Sequence, residues 1–160
     1  IANALFLVER PISLKDQASR PPPDFLPDAL REQFSEAATC LAIGCFNAAA
    51  AMFRLCLDTA TRQFLPDDSL PEPNRTVRRD LGRRIPWLID NGHIPEALRE
   101  LSHCVREDGN DGAHAGTIGV AEAEDLADFT TALLERLFTE PAKLAEAARR
   151  RDERRKPPTS

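Results

Sequence analysis

The chain has 160 residues, 42% of them hydrophobic and 29% charged, with a formal net charge of −5. Those values bound one globular domain with a real core and argue against a wholly basic nucleic-acid binder. Aromatics at 6%, with one Trp and no Tyr, argue against a stacking platform for single strands, because successive bases need successive rings.

In chain order, residues 1–26 read as an extended N-terminal arm. Ala4 to Val8 is a short apolar run that suits a strand, and Pro21-Pro22-Pro23 forces an extended approach to the body. The chain opens on Ile1 rather than Met, so a preceding module is expected. A helical domain over residues 27–145 begins near Leu26-Pro27-Asp28, with Asp28 as cap and Pro27 at the entry. The first helix runs to about Ile43 and breaks at Gly44.

The second helix, about Phe46 to Leu65, has the cleanest periodicity. Phe46, Ala49, Ala50, Phe53, Leu57, Ala60 and Phe64 form one apolar stripe, with Asn47, Arg54, Asp58 and Arg62 opposite. The alanines at 48–51 allow close approach by a neighbouring helix, so this reads as the central helix of a bundle. Arg54, Asp58 and Arg62, a turn apart, form either a solvated ion-pair row or part of a site.

Residues 66–74 are a proline-rich loop. A third helix points Val77, Leu81, Ile85, Leu88 and Ile89 inward, and Pro86 is expected to kink or divide it. Gly92 suits the position just past its end, and Pro95 the first turn of a fourth helix, whose apolar face is Ile94, Ala97, Leu98, Leu101 and Val105. A polar segment with Gly109, Asn110, Gly112 and His114 ends that helix. A fifth runs from about Ala121 to Thr139, with Glu122, Glu124 and Asp125 where the helix dipole favours acids. Pro141 is expected to interrupt before a last charged helix, about Ala142 to Arg155, which frays into a charged tail over residues 146–160. The fold expected is all-α, a bundle of five to six helices with a short extended N-terminal arm.

Charge is polarised along this order. Arg75, Arg78, Arg79, Arg83 and Arg84 cluster as candidate phosphate contacts, or as a solvated helix face. Arg149, Arg150, Arg151, Arg154, Arg155 and Lys156 crowd the C-terminus, while acid collects from Glu107 to Asp128. Cys40, Cys45, Cys56 and Cys104 form no C-x-x-C pair and read as buried free thiols of a reducing compartment. A zinc site from Cys40, Cys45, His103 and Cys104 has the wrong spacing, so neither metal nor cofactor is expected. No G-x-S-x-G occurs, and Cys104 beside His103 points about 100° away from it on a helix. No stretch approaches a membrane span and no signal peptide is visible, so a cytoplasmic protein without a membrane partner is expected.

The best functional candidate is His114, beside Asn110 and two glycines that permit positive φ. Its alternative is to lock that segment through a backbone carbonyl or Asn110. The order Pro27, Glu36-Ala37, Cys40-Leu41, Gly44, Ala48-Ala49, Arg54, Gly92-x-Ile94-Pro95, Gly109-Asn110 and Ala113-His114 resembles a prokaryotic family, domain of unknown function 4145. The resemblance covers about residues 21–145. It implies a helical bundle related to the HEPN superfamily, often preceded by a zinc ribbon or attached to restriction and other defence proteins.

Many HEPN proteins are metal-independent RNases whose dimers build the site from an Arg, usually followed by Asn, and a nearby His. By that resemblance His114 is the general acid/base, and the Arg neutralises phosphate charge. This chain departs from the pattern, because Gly109 stands where the Arg should precede Asn110. Arg106 lies further back beside Glu107 and Asp108, and Arg54 matches the family's recurring arginine. The expected function is a HEPN-like module of a prokaryotic defence system, binding RNA or a partner protein as a homodimer without strong catalysis. The alternatives are a metal-independent endoribonuclease using His114 and Asn110 with Arg54 or Arg106, and a purely structural oligomerisation domain.

Overall fold

Helix α1, Asp28–Ala42, and helix α2, Phe46–Arg62, are joined by a turn at Gly44, whose φ of +79° only glycine adopts readily. Gly44 N–H donates to the Leu41 carbonyl and Cys45 N–H to the Cys40 carbonyl, so the last carbonyls of α1 are satisfied as the chain reverses. The two helices then pack along their length. Phe34 meets Phe53 edge-on with ring centroids 5.6 Å apart, and the Cys56 thiol lies 3.8 Å from the Leu30 carbonyl. A computed structural model describes residues 19–107 and 117–155, so the strand expected at Ala4–Val8 lies outside the described residues.

Helix α2 is central, as its periodicity demands. Ala49, Ala50, Phe53, Cys56, Leu57, Ala60 and Thr61 are buried against its neighbours. Asp28 does not cap α1. Pro27 holds the boundary with non-helical ψ of 147°, its carbonyl accepting from Arg31 N–H, and Asp28 contributes its charge inside the first turn.

The third predicted helix divides, though not at the proline. It breaks at Asp80 into α3, Arg75–Arg79, and α4, Leu81–Asp90. Asn74 caps the first by accepting from Thr76 and Val77 N–H, and Asp80 caps the second by accepting from Arg83 N–H. Pro86 sits inside α4, where its missing N–H forfeits one bond to Gly82 without ending the helix. Gly92, at φ +74°, closes α4 with the same paired bonds seen at Gly44.

The fourth predicted helix is mostly 3-10. Turns Glu96–Leu98 and Leu101–His103 precede a short α5, Cys104–Glu107. Each residue of a 3-10 turn advances about 120° instead of 100°, so the expected apolar face rotates. Ile94, Leu98 and Val105 are buried, whereas Ala97 and Leu101 face solvent and Ser102 takes an inward position.

Pro141 does not interrupt the fifth helix. Helix α6, Val120–Leu134, passes through one π-turn, Glu135–Thr139, into α7, Glu140–Arg155. The wider turn moves the upstream carbonyls away from the proline ring, so the helix continues. The segment before α1 straps this long helix. Arg20 pairs with Asp128 at 2.6 Å, Thr139 donates to the Asp24 carbonyl at 2.6 Å, and Pro23 and Leu26 are buried. Among the described residues no strand forms, and no helix is long and apolar enough to cross a membrane.

One polar node ties α2 to α3 and α4. Arg84 is fully buried, and its guanidinium donates to the Asp58 carboxylate at 2.7 Å, to Thr61 Oγ1 at 3.1 Å and to the Arg78 carbonyl at 2.6 Å. Burial disfavours the Asp58 charge, but hydrogen bonds from Arg62 and Arg84 and their positive charges outweigh it, holding the carboxyl below its ordinary value.

Two outcomes follow from the node. Arg84→Met removes the buried donor to Asp58, Thr61 and the Arg78 carbonyl while Asp58 keeps Arg62, so the urea-unfolding free energy should fall by about 1–3 kcal/mol. Because the folded-state Asp58 value is depressed, its contribution is complete above the ordinary 3.8 and is lost as pH falls from there through the folded value. Wild-type Tm should therefore drop more steeply than that of Asp58→Asn across that acid window; parallel profiles would contradict the assignment.

Candidate functional site

The outer side of α2 carries two polar residues seven positions apart, Asn47 and Arg54, which two helical turns place almost in line. Arg54 donates through Nη2 to the Val105 carbonyl at 2.6 Å. Asn47 Oδ1 accepts the Ile118 N–H at 2.7 Å. Val105 lies just before the Gly109–His114 segment and Ile118 just after it. The central helix thus grips the chain on both sides of the segment that carries the expected chemistry.

Asn110 and His114 themselves lie outside the described residues. Arg106 falls within α5, one position beyond the carbonyl that Arg54 holds. Arg54 is half-buried and committed in part to that carbonyl, so within the described residues its shown role is to hold the stem of the segment. The sequence places Asn47 only on the polar face of α2. The signal that finds it is its spacing from Arg54.

The arginine cluster splits. Arg84 has no exposed surface and cannot contact a phosphate, which corrects its place among the expected nucleic-acid contacts. Arg78 is turned inward as well. Its guanidinium donates to the carbonyls of Pro66, Asp67 and Pro73 and to the Asp68 carboxylate, fastening the 66–74 loop. Arg75, Arg79 and Arg83 remain exposed, with Arg83 3.5 Å from Asp80. Helical phase explains the split: Arg84 lies a turn from both Leu81 and Leu88, on the apolar stripe, whereas Arg83 points outward.

The Arg54–Asp58–Arg62 row resolves in the same way. Asp58 is engaged by Arg62 at 2.7 Å and by the buried Arg84, which makes it part of the fold. Of the cysteines, Cys56 is buried and its thiol is pushed up to about 12 by desolvation, so it is inert. Burial, followed by the nearby Cys45 and Glu36, also raises Cys40. No group of three His, Cys, Asp or Glu that could hold a metal forms among the described residues. His93 stacks on Trp87 with centroids 5.9 Å apart.

Chemically, the described part of the site offers a guanidinium and a carboxamide, groups that bind and orient. A family model with the description "Domain of unknown function (DUF4145)" matches residues 35–152, a span that includes α2, the stem and the long C-terminal helix. No curated protein and no solved structure matches the chain.

The grip is open to a direct test. Asn47→Ala removes the acceptor of the Ile118 amide, a bond worth about 1 kcal/mol. Native-state hydrogen exchange of that amide should quicken about fivefold while buried α2 amides keep their rates. Unchanged exchange at Ile118 would remove Asn47 from the site.

Proposed function

The chain belongs to the family of domain of unknown function DUF4145, and from that premise we propose that it is a HEPN-like helical module that binds through the segment between Val105 and Ile118. It serves a prokaryotic defence or restriction-associated system, works as a homodimer, and binds RNA or a partner protein without strong catalysis. The observation that carries this reading is the double grip of Asn47 and Arg54, which ties both flanks of the segment to the central helix. A segment so held is presented on a rigid scaffold, which is how binding loops gain affinity.

Composition favours binding over chemistry. Gly109 removes the cation expected beside Asn110, and a phosphoryl-transfer site without a fixed positive charge loses its largest stabilising term. Two of the five clustered arginines are internal, so the 75–84 cluster offers fewer phosphate contacts than its sequence suggests.

A specific observation favours a second reading, a metal-independent endoribonuclease. Arg54 places a guanidinium at the stem of the segment that carries His114, where it can supply the missing cation. In that reading His114 and Asn110 act with Arg54 or Arg106.

The deciding experiment incubates purified wild type, His114→Ala and Arg54→Ala with RNA in the presence of a chelator. The binding module predicts no cleavage by any of the three. Cleavage by wild type that both substitutions lower by about 100-fold or more would establish the nuclease instead.

A further inference from the structure

The turn between α1 and α2 carries a cysteine at each of the two positions that its geometry brings together. Gly44 N–H donates to the Leu41 carbonyl at 3.0 Å and Cys45 N–H to the Cys40 carbonyl at 2.8 Å, with Gly44 at φ +79°. In a helix end closed by this pair of bonds, the residue after the glycine commonly packs its side chain on the residue whose carbonyl it bonds. Here those two residues are Cys45 and Cys40. The backbone bond that joins them also keeps their Cα atoms within the span that a disulfide bridges.

Their surroundings give the two thiols different parts. Cys45 is exposed, where the sequence suggested a buried thiol, so a dissolved oxidant reaches it. Cys40 is half-buried, and burial, followed by the charges of Cys45 and Glu36, holds its thiol above the ordinary value. That Cys40 feels the Cys45 charge agrees with the closeness the turn imposes. Cys56, buried in α2, has no such access.

We propose that Cys40 and Cys45 form a thiol–disulfide redox pair that closes within the native turn. The oxidant is a low-molecular-weight disulfide such as oxidised glutathione. The Cys45 thiolate attacks one sulfur of that disulfide, whose S–S bond breaks; one small thiolate leaves and a mixed disulfide remains on Cys45. The Cys40 thiolate then attacks Cys45 Sγ and displaces the second small thiolate. The two leaving thiolates take up the protons that the cysteines gave up. In all, the cysteines lose two electrons and the small disulfide is reduced to two thiols. Closure asks for side-chain rotation and leaves both helices in place. The pair is separate from the segment between Val105 and Ile118, so failure of the proposed binding function would leave it standing.

The test equilibrates the full chain in glutathione redox buffers, folded and in urea, then quenches with acid, alkylates and digests with trypsin. Cleavage after Arg31 and Arg54 puts both cysteines on one peptide, apart from Cys56 and Cys104. In the folded chain that peptide should lose two hydrogens and carry no glutathione. It should close at a glutathione ratio about tenfold more reducing than the unfolded chain needs, because the turn raises the effective concentration of one thiol at the other. Cys40→Ser, confirmed folded by circular dichroism, should stop with one glutathione on Cys45. The proposal is overturned if the folded wild-type peptide stays reduced, if glutathione persists on it, or if the link joins two chains. Closure no easier in the folded chain than in urea, or a Cys40→Ser peptide without glutathione, would overturn it as well.

Discussion

The buried guanidinium of Arg84 is the constraint around which the middle of this chain is organised. A charge without solvent is tolerable only when its donors are matched, and Arg84 finds Asp58, Thr61 and the Arg78 carbonyl. Each partner fixes something further. Asp58 and Thr61 set the rotation of α4 against α2. The Arg78 carbonyl fixes the end of α3, and the Arg78 side chain in turn gathers the carbonyls of the 66–74 loop. Helix, loop and turn in this region thus depend on one long-range polar contact. A hydrophobic replacement could fill the same volume, but it would not specify which loop conformation accompanies it.

That arrangement has a bearing on the candidate site, because α2 serves both. Its buried side carries Ala49, Ala50, Phe53 and Leu57, and its flank offers Asp58 to the node. Its outer side carries Asn47 and Arg54, which hold Ile118 and Val105. With α1 and α6 packed on the same helix, the stem inherits the rigidity of the core. The chain on either side of the Gly109–His114 segment is thereby fastened where small displacements of the scaffold are most costly.

Much of the fold was legible in the sequence, for identifiable reasons. The α2 stripe, the Gly44 and Gly92 ends and the acidic start of α6 rest on local chemistry, and each is found where the residues place it. The elements that differ are those in which proline or helix type decides. Pro86 and Pro141 lie within helices, since capping at Asp80 and a π-turn before Pro141 settle the local geometry. Leu101 points outward because the segment is 3-10, a choice that the apolar pattern does not encode. Among candidate site residues, the arginine cluster was read by nearness in sequence. Helical phase, available from Leu81, Ile85 and Leu88, separates Arg84 from its neighbours. Arg54 was legible as a residue of interest, but its carbonyl partner lies 51 positions away and could not be read locally. Asn110 and His114 lie outside the described residues.

The π-turn at Glu135–Thr139 has a geometric consequence of its own. It packs one extra residue into a helical turn, so every side chain of α7 is out of phase with α6 by about 100°. Leu144, Ala148 and the terminal arginines therefore face a direction that an uninterrupted α-helix would have given to their sequence neighbours. The turn acts as an angular offset between two halves of one rod. Evolution can reset that angle by adding or removing a single residue there, leaving the core of α6 untouched while re-aiming everything the distal half displays.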